Sequence, residues 1–262
     1  MNITVEHLPN GVALVTLSAE ASKNALSIKL MQSMSDIVDE LLENSSVKSI
    51  VMTGTGKFFC SGADIGEFAS AIDDGSISDL VGGLTSILHP MQLKIRASEK
   101  IFVVAINGSV AGGGLGIALC ADYRVCVPRA KLAAAYFTLG LSPDGGTSWL
   151  LPRLVGTQRA KKFFFENEVW NGKEAFELGV VDELVNPEEL IECSIKVAER
   201  WGNWAESSRR STKQLIDAST STFMETQLEF EKLLITNSSL TSDFAEGVSA
   251  FLEKRNPNFG EE

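Results

Sequence analysis

The stretch from Val103 to Asp122 constrains this chain most: it opens on the apolar run Val103-Val104-Ala105-Ile106, passes three consecutive glycines, Gly112 to Gly114, and ends in the apolar segment Leu115 to Ala121. Such a run reads as a buried strand turning sharply into a helix. Glycine has no Cβ, so the backbone can bend there and approach a ligand closely. A helix begun at such a turn exposes unpaired N–H groups with a partial positive charge, which suit a developing negative oxygen. The same triplet also suits plain close packing of a helix on a sheet. Two phosphate-binding patterns do not fit. G-x-G-x-x-G fails because Ile117 stands at the last glycine position. Gly54-Thr55-Gly56-Lys57 is not a P-loop, because Val51 replaces its first glycine and Phe58 its hydroxyl residue.

Around this stretch, strands and helices alternate. Ile3 to Glu6 and Val12 to Leu17 flank the turn Pro9-Asn10-Gly11 and read as two strands. Ser27 is placed to cap a helix that runs to about Glu43 with Leu30, Met31, Met34, Ile37, Val38 and Leu41 on one face. Val47 to Thr53, Phe102 to Ile106, Tyr123 to Val127 and Val180 to Val185 read as further strands. The spacing predicts an α/β fold with a parallel sheet and crossover helices, and ligands then bind at the C-terminal ends of strands. Two loops fall there, Thr53 to Asp64 and the glycine triplet.

Ser70 to Ser86, with Asp73-Asp74-Gly75-Ser76 and Gly82-Gly83, reads as a mobile turn between two helical pieces. A helix over about Leu84 to Ala97 carries Pro90 as its kink or its start. Thr147 to Leu154 and Arg159 to Phe165 read as helices, and Asn171 to Leu178 as a helix stopped by Gly179. From Pro187 on the pattern is helical, with interruptions at Ser207 to Thr212 and Ser219 to Thr222. A boundary near Trp201 divides a core of residues 1–200 from a helical unit of residues 201–262.

Composition narrows the function. A 262-residue chain that is 44% hydrophobic can bury a large core. Its 34 acidic against 23 basic residues give a net charge of −11, which disfavours nucleic acid and anionic membrane as partners. Cys60, Cys120, Cys126 and Cys193 lie in apolar runs without metal or disulfide spacing, and only His7 and His89 supply imidazole, so no metal site is expected. Met1 to Glu6 is not a secretory leader, no run reaches membrane length, and Phe259 to Glu262 is not a peroxisomal address; the expected location is cytoplasmic.

Five separated motifs now bear on identity: Asn24-Ala25-Leu26, Phe58 to Ile65, Asn107 to Asp122, Leu139 to Thr147, and Asp243 to Gly247 with Ala250 to Arg255. Together they resemble the crotonase superfamily, also called the enoyl-CoA hydratase/isomerase family, from about Val12 to Phe259. The resemblance implies a crotonase-type spiral of ββα turns followed by a C-terminal helical domain, assembled as a homotrimer or a dimer of trimers. It implies a coenzyme A thioester as substrate, with no separate cofactor. The thioester carbonyl would be held by the backbone N–H groups of Ala63 and Gly113, and coenzyme A by Lys23, Ala25, Ser61, Ala63, Asp64, Ile65 and Gly113. Asp64 also reads as a residue that bonds its own loop.

Hydratases of this family use two glutamates, and the matching positions here are Gly116 and Tyr136. Without paired carboxylates, syn-hydration is not expected. Asp144, in Ser142-Pro143-Asp144-Gly145-Gly146, matches the single acid of double-bond isomerases; by its residue type it could equally cap the helix starting near Thr147. The leading expectation is a Δ3-Δ2 enoyl-CoA isomerase or a related ring-opening isomerase, with Asp144 as acid and base. His89 and Asp144 also match the base and nucleophile of 4-chlorobenzoyl-CoA dehalogenases, although Tyr136 stands where those enzymes carry tryptophan. His89 and Tyr136 are therefore either catalytic or pocket residues. A non-catalytic acyl-CoA-binding member is the third reading, whereas a serine hydrolase lacks its G-x-S-x-G elbow.

Overall fold

A computed structural model describes residues 3–260. Met1, Asn2, Glu261 and Glu262, on which the expectations about a leader and a terminal address partly rest, lie outside the described residues.

The chain opens with β1 (Ile3–His7) antiparallel to β2 (Val12–Leu17), Ile3 facing Leu17 across the pair. Ser27 caps α1 (Ile28–Glu43), its side chain accepting from the Leu30 N–H, and Leu30, Met31, Met34, Val38 and Leu41 form the buried face. After it come β3 (Ser49–Gly54), β4 (Phe58–Cys60), α2 (Ile65–Asp73) and α3 (Ile77–Ala97). The next turn of chain repeats the plan with β5 (Ile101–Ile106), β6 (Ser109–Ala111) and α4 (Gly113–Cys120). A third adds β7 (Tyr123–Cys126), β8 (Lys131–Ala133), α5 (Thr147–Val155) and α6 (Thr157–Phe165). β9 (Val169–Asn171), α7 (Gly172–Glu177) and β10 (Glu183–Leu184) close the core.

Each turn gives one strand to each of two sheets. The larger runs β1-β2-β3-β5-β7-β10 and is parallel from β2 onward; the smaller runs β4-β6-β8-β9. This is a spiral of ββα turns. Two asparagines lock successive turns together. The Asn24 side-chain amide donates to the Phe58 and Phe59 carbonyls, and Asn107 donates to Gly56 and Phe58 while accepting from the Gly54 N–H. Gly108 follows because a Cβ there would lie 2.2 Å from the Lys57 oxygen.

Helices complete the chain: α8 (Leu190–Gly202) against the large sheet, then α9 (Glu206–Ser219), α10 (Met224–Ser238) and α11 (Ser242–Glu253). Arg209 and Lys213 tie α9 to the core by donating to the carbonyls of Lys48, Glu99, Ile95 and Lys100. No helix among the described residues is long and apolar enough to cross a membrane.

Several elements differ from expectation. The mobile turn over Ser70 to Ser86 contracts to Asp74–Ser76, where the Asp74 carboxylate accepts from the Ser76 N–H and hydroxyl. α3 then runs through Gly82, Gly83 and Pro90, because its buried Leu88, Met91, Gln92 and Ile95 pack on the core, and tertiary packing overrides local propensity. Gly83 has a packing reason of its own: a Cβ there would stand 3.1 Å from Ile28 Cδ1. The serine-rich run Ser207 to Thr212 lies inside α9, and only Ser219 to Thr222 breaks the helices. The strand expected over Val180 to Val185 shortens to Glu183–Leu184, with Val180 and Val181 buried behind the left-handed turn at Gly179.

Candidate active site

The parallel pairing of β4 with β6 brings the Cys60–Asp64 loop beside the glycine triplet. Gly62, at φ +87°, approaches Ala111 so closely that a Cβ would meet its carbonyl oxygen at 2.9 Å. Gly112 turns the chain at φ +53° and starts α4; a Cβ on Gly114 would meet Cys60 Sγ at 2.7 Å. The glycines pack a helix tightly on the small sheet, and Gly112 and Gly113 line a cavity.

Two backbone amides at this cavity are unpaired. Leu26 bridges Ala63, donating its N–H to the Gly62 carbonyl and accepting from the Asp64 N–H, so the Ala63 N–H between them is left over. Gly113, first residue of α4, has no intrahelical acceptor within reach. Among the described residues neither N–H donates to a protein acceptor. Ala63 and Gly113 line one cavity of about 290 Å³ together with Ser61, Ile65, Tyr136 and Asp144. Its remaining wall is mostly apolar and comes from α1, α2, α3 and the Leu139–Leu141 segment. A larger cavity of about 830 Å³ between α5 and α9 contains none of these residues.

Asp144 is not a helix cap. The N-cap of α5 is Gly146, and the Asp144 backbone carbonyl takes the nearby donors: Thr147 N–H at 3.2 Å, Thr147 Oγ1 at 2.9 Å and Tyr136 Oη at 3.0 Å. The carboxylate stays free to point elsewhere. Its Oδ1 accepts from the Gly145 N–H and lies 2.6 Å from His89 Nε2. His89 is half-exposed and does not line the cavity, whereas Asp144 does. Gln92, one helical turn along α3 and buried, donates to the Gly145 carbonyl at 2.9 Å. The Ser142–Gly146 loop is thus held from α3 and from the Ala135–Tyr136 segment.

The two expected glutamate positions are occupied otherwise. A Cβ on Gly116 would lie 2.3 Å from the Gly145 oxygen, so no side chain fits there while the loop keeps its place. Tyr136 is buried; burial pushes its phenol above the ordinary range and keeps it a neutral donor. Cys60, behind the glycine turn, is also removed from acid/base work, because burial pushes its thiol up to about 12.

The residues expected to hold coenzyme A divide. Ser61, Ala63, Ile65 and Gly113 line the cavity; Lys23, Ala25 and Asp64 do not. The Asp64 carboxylate caps α2, accepting from the Gly66 and Glu67 N–H groups, which is the loop-bonding role its type suggested. Lys23 sits at φ +58°, accepts from the Ser61 N–H through its carbonyl, and holds its ammonium 5.8 Å from the Phe58 ring centre. Gln92 and Thr147 were missed in the sequence. Their roles depend on how α3 and α5 approach one loop, and a buried glutamine among apolar neighbours is the only local sign.

Comparison with known proteins bears on the family and the fold. The enoyl-CoA hydratase/isomerase family model matches residues 7–262. The chain is 27% identical over 259 residues to 1,2-epoxyphenylacetyl-CoA isomerase of Escherichia coli, covering 99% of this chain and 98% of the relative. It is 31% identical over 254 residues to crotonyl-CoA hydratase of Syntrophomonas wolfei, covering 95% and 94%. The crystal structure of an enoyl-CoA hydratase from Bacillus anthracis superposes with a TM-score of 0.92 at 30% identity, covering both chains fully. Relatives named isomerase and hydratase stand side by side, and the chain belongs to the enoyl-CoA hydratase/isomerase family, an acyl-CoA enzyme with the crotonase fold.

Proposed function

We propose that this protein is an enoyl-CoA isomerase that shifts a double bond by 1,3-proton transfer, with Asp144 as the single acid and base. The observation that carries the reading is the lone carboxylate of Asp144 in a cavity shared with the free Ala63 and Gly113 amides. Gly116 and Tyr136 supply no second carboxylate. The hydratases that the family resemblance implies divide the work between two carboxylates, which activate water and deliver its proton to carbon. A 1,3-shift needs only one group, because the proton it takes is the proton it returns.

In a 3-enoyl thioester, Asp144 takes a proton from C2, and the electron pair of that C–H bond moves toward the thioester oxygen. The Ala63 and Gly113 N–H groups hold the resulting dienolate oxygen. Loss of one such preorganised donor costs about 2.7 to 4 kcal/mol in comparable sites. The carboxyl then returns the proton to C4 as the new double bond forms between C2 and C3. No atom is gained or lost. The relative named 1,2-epoxyphenylacetyl-CoA isomerase supports isomerase chemistry on a similar chain. Asp144→Asn, assayed for conversion of 3-enoyl-CoA to the conjugated 2-enoyl-CoA, is expected to lose kcat by about 10³-fold or more, within the range of acid/base contributions. Undiminished turnover excludes the role.

One observation favours a second reading, the 2.6 Å approach of His89 Nε2 to Asp144 Oδ1, which suits a dehalogenase that uses aspartate as nucleophile and histidine as base. Chloride release from 4-chlorobenzoyl-CoA tests it, and its absence retires that reading. For assembly we propose the homotrimer or dimer of trimers that the family resemblance implies. Exposed apolar side chains on α10 and α11, such as Ile235, Phe251 and Leu252, support burial against a second copy.

A further inference from the structure

Asp144 is held by one oxygen only. Oδ1 faces both the Gly145 N–H and His89 Nε2, and among the described residues Oδ2 has no protein partner. A ring nitrogen 2.6 Å from a carboxylate oxygen requires a proton between them, since two lone pairs do not approach so closely. His89 therefore acts as a donor to Oδ1 when Asp144 is ionised. It reaches the carboxylate from outside: its neighbour Leu88 lines the cavity, while His89 itself is half-exposed and does not.

We propose that His89 is a positioning residue that clamps Oδ1 and so makes Oδ2 the one basic atom that both removes and returns the proton. The proposal rests on the reading of Asp144 as acid and base. The main chain beneath the carboxylate is already fixed by Tyr136, Thr147 and Gln92. What those bonds leave loose is the terminal torsion of the aspartate side chain, whose preferences are broad. A freely turning carboxylate would present either oxygen, at varying angles, to C2 and C4. With Oδ1 occupied by two donors, the basic lone pairs of Oδ2 keep one direction, as a suprafacial shuttle between two carbons of one substrate requires. His89 does this without touching substrate, so it transfers no proton in the cycle.

Positioning and proton transfer are separated by what glutamine can do, because its amide donates a hydrogen bond but cannot act as a base. In His89→Leu, kcat for 3-enoyl-CoA is expected to fall about ten- to a hundred-fold while KM stays within about two-fold, the signature of lost orientation rather than lost binding. His89→Gln is expected to recover most of that loss. Unchanged thermal unfolding of both variants, as a half-exposed site allows, assigns the effect to the carboxylate. If His89→Gln is as impaired as His89→Leu, the imidazole moves protons and the clamp is wrong. If His89→Leu turns over like wild type while Asp144→Asn is inactive, the clamp alone is overturned. If Asp144→Asn keeps full turnover, the underlying reading falls first.

Discussion

At the residue scale, Gly116 decides as much as Asp144. The Gly145 carbonyl occupies the space that a side chain at position 116 would need, and Gly145 is the residue that tethers the Asp144 carboxylate. Introducing even a methyl group there forces the loop outward. Gly116→Ala is expected to cost about 1 to 3 kcal/mol of stability, the usual range for overpacking a full core, and to lower kcat because the loop that carries Asp144 must move. Chemical unfolding and 3-enoyl-CoA turnover measured on the same preparation check both effects; a stable, fully active variant contradicts the packing described. The cysteines give a second test. Burial pushes the Cys60, Cys120 and Cys126 thiols up to about 12, against an ordinary value of about 8.5. In the folded protein at pH 8 these three should resist alkylation until denaturant is added. Their raised values also fix a sign: the unfolded chain loses thiol protons from about pH 8.5 while the folded one keeps them to about 12, so this contribution to stability is complete at neutral pH and declines as pH rises through that window.

At the scale of elements, legibility follows length and locality. α1 was readable because its apolar period and its cap Ser27 lie within one segment, and the β5–α4 turn because three glycines between a strand and a helix leave few alternatives. The three-residue strands of the small sheet were not, since β4, β6, β8 and β9 are too short to show alternation. α3 hid behind Gly82, Gly83 and Pro90, whose local preferences its packing overrides. The motif Asn24-Ala25-Leu26 was visible in sequence, but that Asn24 locks two turns of the spiral and Leu26 isolates the Ala63 amide needed the fold. At Asp144 the sequence allowed a cap or an acid, and Gly146 as the N-cap removes the first. The same elements wall the cavity. Val81, Leu84 and Leu88 of α3, with Leu139 and Leu141, give the cavity an apolar wall without a cationic side chain. A buried unpaired carboxylate is costly there. Acyl chains ending in a methyl or phenyl group are expected to show higher kcat/KM than ω-carboxyl chains of equal length, by about ten-fold or more for a desolvation difference above about 1.4 kcal/mol. A substrate panel checks this; a preference for the ω-carboxyl chains would show that a cation reaches the cavity.

At the scale of the whole molecule, the spiral buries its apolar core while the last two helices leave most of their apolar side chains exposed. α9 is pinned by Arg209, Lys213 and the Arg96–Asp217 ion pair, while α10 buries no residue and α11 only Ala250. Phe251 is 84% exposed and Leu252 75%, which a lone chain in water does not favour. Sedimentation at micromolar concentration is expected to report a trimer or hexamer, and the paired change Phe251→Asp with Leu252→Asp to shift it toward monomer. A monomeric wild-type protein at that concentration contradicts the assembly.

Asp144 lines the same cavity as Ala63 and Gly113, whose N–H groups have no protein acceptor among the described residues. The direct measurement offers wild-type protein 3-enoyl-CoA and 2-enoyl-CoA of the same chain length and follows both products. A single carboxylate, with no second one to share the work, should convert the first to the conjugated thioester and give no 3-hydroxyacyl-CoA from the second; hydration of the 2-enoyl thioester at a rate matching or exceeding isomerisation would contradict the assignment.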